Sequence, residues 1–265
     1  LELMASLGVS SSLLARGVRV GAGRACCGDR ELGVLRFAAC PPPFNFVLTI
    51  PQGDTEDVLR ACAQGLPSCR AWYRTEVVDH AEEAGGVVAR CRGQGPQEVR
   101  ARVLIGCDGK DSAVRSRSGI SVRGGPYPDV FAMGDFADGT PFGDEARIFL
   151  DDEGFIESFP LPHRTRRWVM RLPGGAVTCT ADGLAADIRR RTGQVLECPP
   201  ADGVSVFGVQ HGLAATFARG RVALAGDAAH VMSPIGGQGM NVGWLNAWDL
   251  ASALHAVVRE GAPAS

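Results

Sequence analysis

The stretch that decides the fold is GRVALAGDAAHVMSPIGGQGMN, from Gly220 to Asn241. Its apolar beginning, Arg221–Ala225, predicts a buried strand that ends in small residues and the acid Asp227. Three glycines then remove side chains from a loop that leads into a helix expected over Asn241–Val258: Gly236, Gly237 and Gly239. Unpaired N–H groups at such a junction favour a negatively charged or strongly accepting ligand atom. A purely structural glycine loop would explain the glycines, but not the ordered string from Gly226 onward.

A second segment, RVLIGCDGKDSAVR from Arg102 to Arg115, has a related pattern. An apolar strand runs into Asp108 and Gly109, and a helix is expected to start near Ser112. The glycine permits a ligand to approach the backbone, and N–H groups at the helix start can receive phosphate, with Arg115 as a nearby cation. Taken alone, this segment leaves open an ordinary strand-to-helix turn with an exposed arginine.

Composition excludes several classes of protein. The 265 residues carry a formal charge of −2, from 27 Lys+Arg and 29 Asp+Glu, which gives no general attraction to nucleic acid or to an anionic membrane. A hydrophobic fraction of 45% with 21% charged residues argues against disorder. Because no apolar run approaches the ~20 residues of a spanning helix, we expect no integral membrane association.

The cysteines argue against a metal site. There are 9 of them, scattered and without a CxxC pair, and only 5 histidines could serve as co-ligands. A zinc site or a disulfide framework is therefore not expected, and free thiols in a reducing, cytoplasmic compartment are the better interpretation.

The remaining pattern predicts an α/β (α+β) chain with an inserted β-rich domain. We place the first part of a cofactor domain at 1–120, a sheet-based substrate domain at 121–205, and the second cofactor part at 206–265. The predicted helices are Leu1–Ala15, Asp54–Ala63 and Ala181–Arg191, besides the two named above. The predicted strands are Phe44–Ile50, a β-meander near Glu76–Val78, Val87–Cys91 and Glu98–Ile105, and a second set at Val130–Phe136, Ala146–Leu150, Phe155–Leu161 and Arg167–Leu172.

Together the two glycine-containing segments resemble the Asp-Gly and Gly-Asp fingerprints of the single-component, FAD-dependent aromatic hydroxylases with the para-hydroxybenzoate hydroxylase fold. Their order and separation also fit that family. Further similarity covers Leu1–Val20 and Phe46–Leu59, where Pro51, Gln52 and Glu56 match. The resemblance is weak between residues 121 and 205. It implies a Rossmann-like FAD-binding domain with an inserted substrate-binding sheet.

The resemblance also implies roles for the matched residues. Asp227, with Gly226, would bind the ribityl–pyrophosphate region of FAD. The following loop would lie against the pyrimidine edge of the flavin ring: Gly236, Gly237, Gln238, Gly239, Met240 and Asn241. Pro234 would stand beside the oxygen-reactive carbon, and it is the one catalytic candidate. Four further residues would contact cofactors, Asp108 and Gly109 serving both FAD and NAD(P)H, Gln52 the flavin and Arg115 a phosphate.

The activity implied is that of an FAD-dependent monooxygenase, which hydroxylates a small aromatic, phenolic substrate with NAD(P)H and O₂. Phenolic polyketides are the preferred substrate class. Two alternatives stay open at this point. One is a related flavin oxidoreductase, an epoxidase or a halogenase, although no WxWxIP segment of the halogenase kind is present. The other is a truncated, non-catalytic relative that no longer holds FAD. The sequence does not indicate an oligomeric state.

The sequence departs from the family pattern at its start. The family begins with a βαβ unit that carries GxGxxG and seats the ADP half of FAD, whereas Gly21–Gly28 provides only scattered glycines. Since Leu1 already matches the region past that unit, we expect the chain to lack the family's N-terminus. It also ends before the family's usual C-terminal continuation. Further along the chain, Asn246 stands where an Asp is common.

Two other features are expected to be structural. His230 follows Asp227 closely, but local packing or hydrogen bonding is a better interpretation than acid–base catalysis, because catalysis in this family belongs to the flavin. The arginine run Arg164, Arg166 and Arg167 is expected to form a solvated turn.

Overall fold

The computed structural model describes residues 1–28, 30–175, 177–197, 203–233 and 237–259. The chain forms two compact units. Unit 1 comprises Leu1–Cys69 and Pro128–Gly208, and unit 2 comprises Arg70–Tyr127 and Val209–Ser265. The structure therefore groups the first 69 residues with the β-rich middle of the chain, whereas the sequence analysis joined them to the segment up to residue 120. Which part binds cofactor and which binds substrate remains a prediction.

Runs of consecutive strands are separated by single helices along most of the described chain. The helices are α1 (Glu2–Ser6), α2 (Ser10–Leu14), α3 (Gln52–Gln64), α4 (Ala113–Arg117), α5 (Ala181–Thr192) and α6 (Gly239–Arg259). The strands are β1 (Val18–Val20), β2 (Ala22–Cys27), β3 (Arg30–Arg36), β4 (Val47–Thr49), β5 (Thr75–Glu83), β6 (Gly86–Gly93), β7 (Glu98–Ala101), β8 (Leu104–Gly106), β9 (Val122–Ala137), β10 (Ala146–Asp151), β11 (Gly154–Leu161), β12 (Thr165–Arg171), β13 (Ser205–Ala214), β14 (Ala218–Arg219), β15 (Val222–Leu224) and β16 (His230–Val231).

The core of unit 1 lies between a sheet and helix α5. The sheet strands follow the order β9-β12-β11-β10-β2-β3. Along β12 every second residue is buried, so that Trp168 and Met170 share one face. Leu184 and Ile188, one turn apart on α5, belong to the same buried cluster. Each fully buried side chain of this kind contributes about 1.5–3 kcal/mol to folding.

The N-terminal part of unit 1 differs from the expectation of one helix over Leu1–Ala15. The chain instead forms α1 and α2, separated near Gly8, whose φ of 73° lies in the left-handed region. Strands β2 and β3 form an antiparallel hairpin within the glycine- and cysteine-rich passage. Sequence reasoning missed this hairpin because its strands lack the apolar alternation that marks a half-buried strand.

Unit 2 contains a β-meander and a small parallel ladder. The antiparallel order β5-β6-β7 confirms the predicted meander, except that its last predicted strand, Glu98–Ile105, is divided into β7 and β8, which belong to different sheets. Strand β15 pairs in parallel with β8 and antiparallel with β14. Strand β13 also pairs with β16 in this unit, through Gly212 and Leu213.

Two further observations concern the described residues only. None of the helices there is long and apolar enough to cross a bilayer. Nor do three or more His, Cys, Asp or Glu side chains gather there in a way that could hold a metal ion.

Candidate functional site

The two fingerprint segments meet at one edge of the parallel ladder in unit 2. Val222 lies opposite Leu104, and Leu224 lies opposite Gly106. The pairing continues beyond the strands, because the Ala225 N–H donates to the Gly106 carbonyl at 3.0 Å. Parallel strands present their carboxyl ends at the same edge, where open α/β sheets bind ligands. The Asp-Gly and Gly-Asp turns that follow β8 and β15 therefore start side by side.

The first turn is held by its own side chains. Asp108 accepts hydrogen bonds from the Ser112 hydroxyl at 2.5 Å and from the Val114 N–H at 3.0 Å. Ser112 is fully buried and caps α4, because its hydroxyl oxygen accepts from the Arg115 N–H at 2.9 Å. Burial raises the pKa of the Asp108 carboxyl, but these hydrogen bonds outweigh it, so the pKa lies below its usual range. Gly109 follows with a φ of 82° and open space beside it.

Arg115 connects the two turns. Its side chain is buried, and the guanidinium donates to the Ala228 carbonyl at 2.9 Å and to the Lys110 carbonyl at 2.8 Å. The exposed-arginine alternative for this segment is therefore wrong. Arg115 positions the backbone of both turns, and its contact with a phosphate remains a prediction.

The second turn is fixed from the side of α6. Gly226 has a φ of 60°, and its N–H donates to the Asn246 side-chain oxygen at 3.1 Å. The helix approaches this turn closely at Gly243, where a Cβ atom would lie in van der Waals contact with the Gly226 Cα, at 3.5 Å. Asn246, which departs from the family pattern, therefore links α6 to this turn by accepting the Gly226 hydrogen bond. The neighbouring Asp227 carboxylate is exposed, and no described residue pairs with it.

The glycine loop ends at the start of α6. Gly237 has a φ of 63°, and a Cβ atom there or at Gly239 would meet nothing within 4 Å. The Gln238 carbonyl accepts from the Val242 N–H at 3.0 Å, while Met240 and Asn241 are exposed in the first turn. Pro234 and Gly236, both predicted site residues, lie outside the described residues.

Gln52 belongs to unit 1 and opens α3. Its side-chain amide is exposed and donates to the Glu56 carboxylate at 2.9 Å. This contact orients Gln52 along its own helix. Its contact with a flavin remains a prediction.

His230 packs locally, as the sequence predicted. The residue is 9% exposed, and neither ring nitrogen has a hydrogen-bond partner among the described residues. The ring packs against Phe217 at a centroid distance of 5.9 Å. The packing that the sequence predicted is therefore present, without the local hydrogen bond that was the other expectation.

These features fit a nucleotide-type cofactor. Gly109, Gly226 and Gly237 leave backbone accessible at one edge, and each has space where a side chain would stand. Asp227 offers an exposed carboxylate that can accept hydrogen bonds from sugar hydroxyls. The first turn of a 21-residue helix adds N–H donors and the positive end of its dipole.

Similarity to known proteins also indicates a nucleotide-type cofactor. The family model described as "FAD binding domain" matches residues 1–265. The 6-methylpretetramide 4-monooxygenase of Streptomyces rimosus is 31% identical over 98% of this chain and 48% of its own length. The chain spans about half the length of the first curated relatives that it matches.

Solved structures of a hydroxylase and a monooxygenase are similar to almost the whole chain. The anhydrotetracycline hydroxylase OxyS from Streptomyces rimosus matches 99% of this chain and 53% of its own, with 27% identity and a TM-score of 0.74. The p-nitrophenol 4-monooxygenase PnpA from Pseudomonas putida shares the fold, with a TM-score of 0.84 at 24% identity over 99% of this chain and 69% of its own. Because the family model extends over the whole chain, the chain belongs to the FAD-binding family of aromatic flavoprotein monooxygenases.

Proposed function

We propose that this chain holds FAD at the edge where β8 and β15 end, and that the protein hydroxylates a phenolic ring with NAD(P)H and O₂. The observation that carries the proposal is the parallel register of Leu104–Gly106 with Val222–Leu224, which starts both fingerprints side by side. Neither fingerprint alone specifies a cofactor. Two adjacent turns with accessible backbone and an exposed carboxylate are what a dinucleotide needs.

Each residue of the site has a proposed task. Asp227 binds the ribityl–pyrophosphate region through its exposed carboxylate. Gly237 and Gly239, with the N–H groups of the first turn of α6, lie against the polar edge of the flavin ring and stabilise negative charge there. Arg115 keeps the two turns in register through the Lys110 and Ala228 carbonyls. When bound, FAD supplies the electron transfer and the activation of oxygen.

The remaining assignments rest on the family resemblance. Gln238, Met240 and Asn241 share the flavin edge with Gly236, and Pro234 stands beside the reactive carbon. Asp108 and Gly109 contact both FAD and NAD(P)H. For Asp108 this contact must coexist with the two hydrogen bonds that its carboxylate already accepts.

A phenolic polyketide is the substrate class we favour. Support comes from the relatives whose names refer to 6-methylpretetramide and anhydrotetracycline. A cytoplasmic location is in keeping with the cysteines, since each one that the structure describes is a free thiol.

The proposal is tested by titrating the purified chain with FAD and following the flavin spectrum. The flavin-loaded chain is then supplied with NADPH, O₂ and a panel of phenols. We expect saturable FAD binding, phenol-stimulated NADPH oxidation, and a product heavier by one oxygen atom. A chain that ignores added FAD would support the non-catalytic alternative. FAD binding with no oxygen transfer to any phenol would refute the hydroxylase assignment alone.

A further inference from the structure

Helix α6 is apolar along most of its length but only partly buried. None of its residues from 239 to 256 is buried, and the buried cluster of unit 2 includes no described residue of this helix. Large apolar side chains remain on its surface, with exposed fractions of 46% for Met240, 57% for Leu245 and 44% for Trp248. The helix therefore presents an apolar face that a partner can cover.

The bulky residues lie away from the side of α6 that contacts the second turn. Gly243 and Asn246 form that contact, through the close approach to the Gly226 Cα and the hydrogen bond from the Gly226 N–H. A second set has the spacing i, i+3, i+4, i+7, which brings residues together on one face of a helix. At 3.6 residues per turn, this face is centred about a third of a turn from the first contact. We call it the Trp–Ala face: Trp244, Ala247, Trp248 and Ala251.

The Trp–Ala face carries no charged side chain. Asp249 is the one carboxylate between residues 239 and 256, and its position places it on the far side of the helix. Ala247, Trp248 and Ala251 are exposed, and Trp244 is half-buried. An exposed, uncharged surface with tryptophan at its centre is typical of contacts between proteins, where tryptophan is enriched among the residues that contribute most to affinity.

The order of large and small residues makes the Trp–Ala face complementary to itself. If two copies of α6 run antiparallel about a two-fold axis between positions 247 and 248, Trp244 of each copy lies opposite Ala251 of the other. In the same register Trp248 lies opposite Ala247. Each indole then meets a methyl group, which permits large and small side chains to interdigitate. In a parallel pair each tryptophan would face itself, and the facing alanines would leave space between the helices.

We propose that the Trp–Ala face is a homodimer interface, in which α6 of one copy packs antiparallel against α6 of a second copy of this chain. Such a contact satisfies the rule for a two-fold interface, that residue i meets residue j and residue j meets residue i. A single helix pair is a small interface, so the dimer is weak, with a dissociation constant of about 1–100 μM. The inference goes beyond the proposed function and does not depend on flavin binding.

Sedimentation velocity of the unaltered 265-residue chain, without flavin, tests the dimer directly. Between about 1 and 300 μM we expect the sedimentation coefficient to rise from the value of a monomer to that of a dimer. A chain that remains monomeric at the highest concentration would overturn the inference. This arm needs no variant, so it stands whether or not any substitution disturbs folding.

Ala251→Trp tests the antiparallel register. It places an indole against Trp244 of the other copy, twice in each dimer, and should raise the dissociation constant about thirtyfold or more. Adding Trp244→Ala to the same chain again sets a large residue opposite a small one, so this double variant should recover most of the affinity. Ala253→Trp is the matched control, because it adds the same bulk at an exposed position on the other side of α6 and should leave the constant unchanged.

The variants are compared by sedimentation after circular dichroism has shown that each is folded. Equal effects of Ala251→Trp and Ala253→Trp would refute the antiparallel contact. So would a folded double variant that dimerises no better than Ala251→Trp alone.

Discussion

At the scale of single residues, the arginines of the unit 1 sheet show how burial changes the role of a charged side chain. Arg164 is exposed in the turn before β12, as the sequence predicted. Arg166 is fully buried, bonded to Asp138 at 2.9 Å and to the carbonyls of Gly143 and Glu145 at 2.5 and 3.1 Å. The prediction of a solvated run was therefore wrong for Arg166. The two residues share a charge, but only one lies where strand alternation turns it inward.

Replacing Arg166 tests that role. Arg166→Met leaves Asp138 and two backbone carbonyls without their donor, so we expect the free energy of unfolding to fall by about 3–5 kcal/mol. Arg164→Met, two residues away, should change it by less than about 0.5 kcal/mol. Urea unfolding of both variants measures the difference. Similar values for the two would mean that the buried arginine is not a structural anchor.

For Asp227, in contrast to Arg166, we expect substitution to weaken FAD binding and to leave stability nearly unchanged. Its carboxylate is exposed and pairs with no described residue, so Asp227→Ala should leave folding nearly unchanged. We expect it to weaken FAD binding roughly tenfold, because a hydrogen bond from a hydroxyl to a charged acceptor is lost. Flavin fluorescence titration measures the affinity, with Asp152→Ala on an exposed turn of unit 1 as control. Unchanged FAD affinity in Asp227→Ala would refute the assigned role.

At the scale of elements, the short helix α4 depends on its cap. Ser112 accepts from the Arg115 N–H and donates to Asp108, so one hydroxyl joins the helix to the turn before it. Burial raises the pKa of Asp108, but the hydrogen bonds lower it by more, so the pKa lies below its usual range. A carboxyl with a lowered folded-state pKa stabilises the fold above its unfolded pKa, and the contribution is lost as the pH falls through the folded value.

Ser112→Ala removes this link. We expect the free energy of unfolding to fall by about 1 kcal/mol near neutral pH, the usual value of a serine cap. On acidification below about pH 4, the ordinary range of an Asp carboxyl, the variant should lose less further stability than the unaltered protein. Urea unfolding at neutral and acid pH measures both effects. Ser116→Ala, on an exposed position of the same helix, is the control, and a parallel pH dependence in all three proteins would contradict the role of Asp108.

The glycine loop before α6 permits a test with a closely matched control. Gly237 and Gly174 both have a φ of 63°, and both have open space where a Cβ would stand. Valine at either position is strained, so each substitution should cost about 1–2 kcal/mol of stability. Only Gly237→Val should also block the flavin and abolish FAD binding in a titration. If Gly174→Val lowers FAD affinity equally, backbone strain rather than the loop explains the loss.

At the scale of the whole molecule, the chain presents the two fingerprints without a GxGxxG unit. Its 265 residues form unit 1, with the α5-backed sheet, and unit 2, with the parallel ladder and both fingerprint turns. The residues proposed to hold the cofactor are assigned to the flavin ring and to the ribityl–pyrophosphate region. No GxGxxG string occurs in these 265 residues, and the sequence predicts that they lack the unit that seats the ADP half of FAD in this family.

This difference predicts how the chain discriminates between flavins. FAD and FMN share the flavin ring and the ribityl phosphate, so the 265-residue chain should bind them with affinities within about tenfold, or about 1.4 kcal/mol. Bound flavin at about 100 times its Kd should raise the free energy of unfolding by about 2.7 kcal/mol. Isothermal titration and urea unfolding with each flavin measure these values. A preference for FAD of several orders of magnitude would show that other residues bind the ADP half.

The sequence by itself determined the elements whose signals are local. The strand into Asp227, the helix that follows the glycine loop, the meander and the helix over Ala181–Thr192 were all predicted, because alternation, periodicity and glycine act within a few residues. The fingerprint residues were found in the same way, and the family followed from them.

Only the tertiary structure decided which of those residues meet. The parallel pairing of β8 with β15 joins segments more than a hundred residues apart, and the burial of Arg115, Arg166 and Glu157 depends on strands that are distant in the chain. Neighbouring residues in the sequence do not indicate such contacts, because the same charged side chain would be solvated on an isolated strand. Burial and long-range pairing turned Arg115 into a bridge between two turns and Arg166 into an anchor within a sheet.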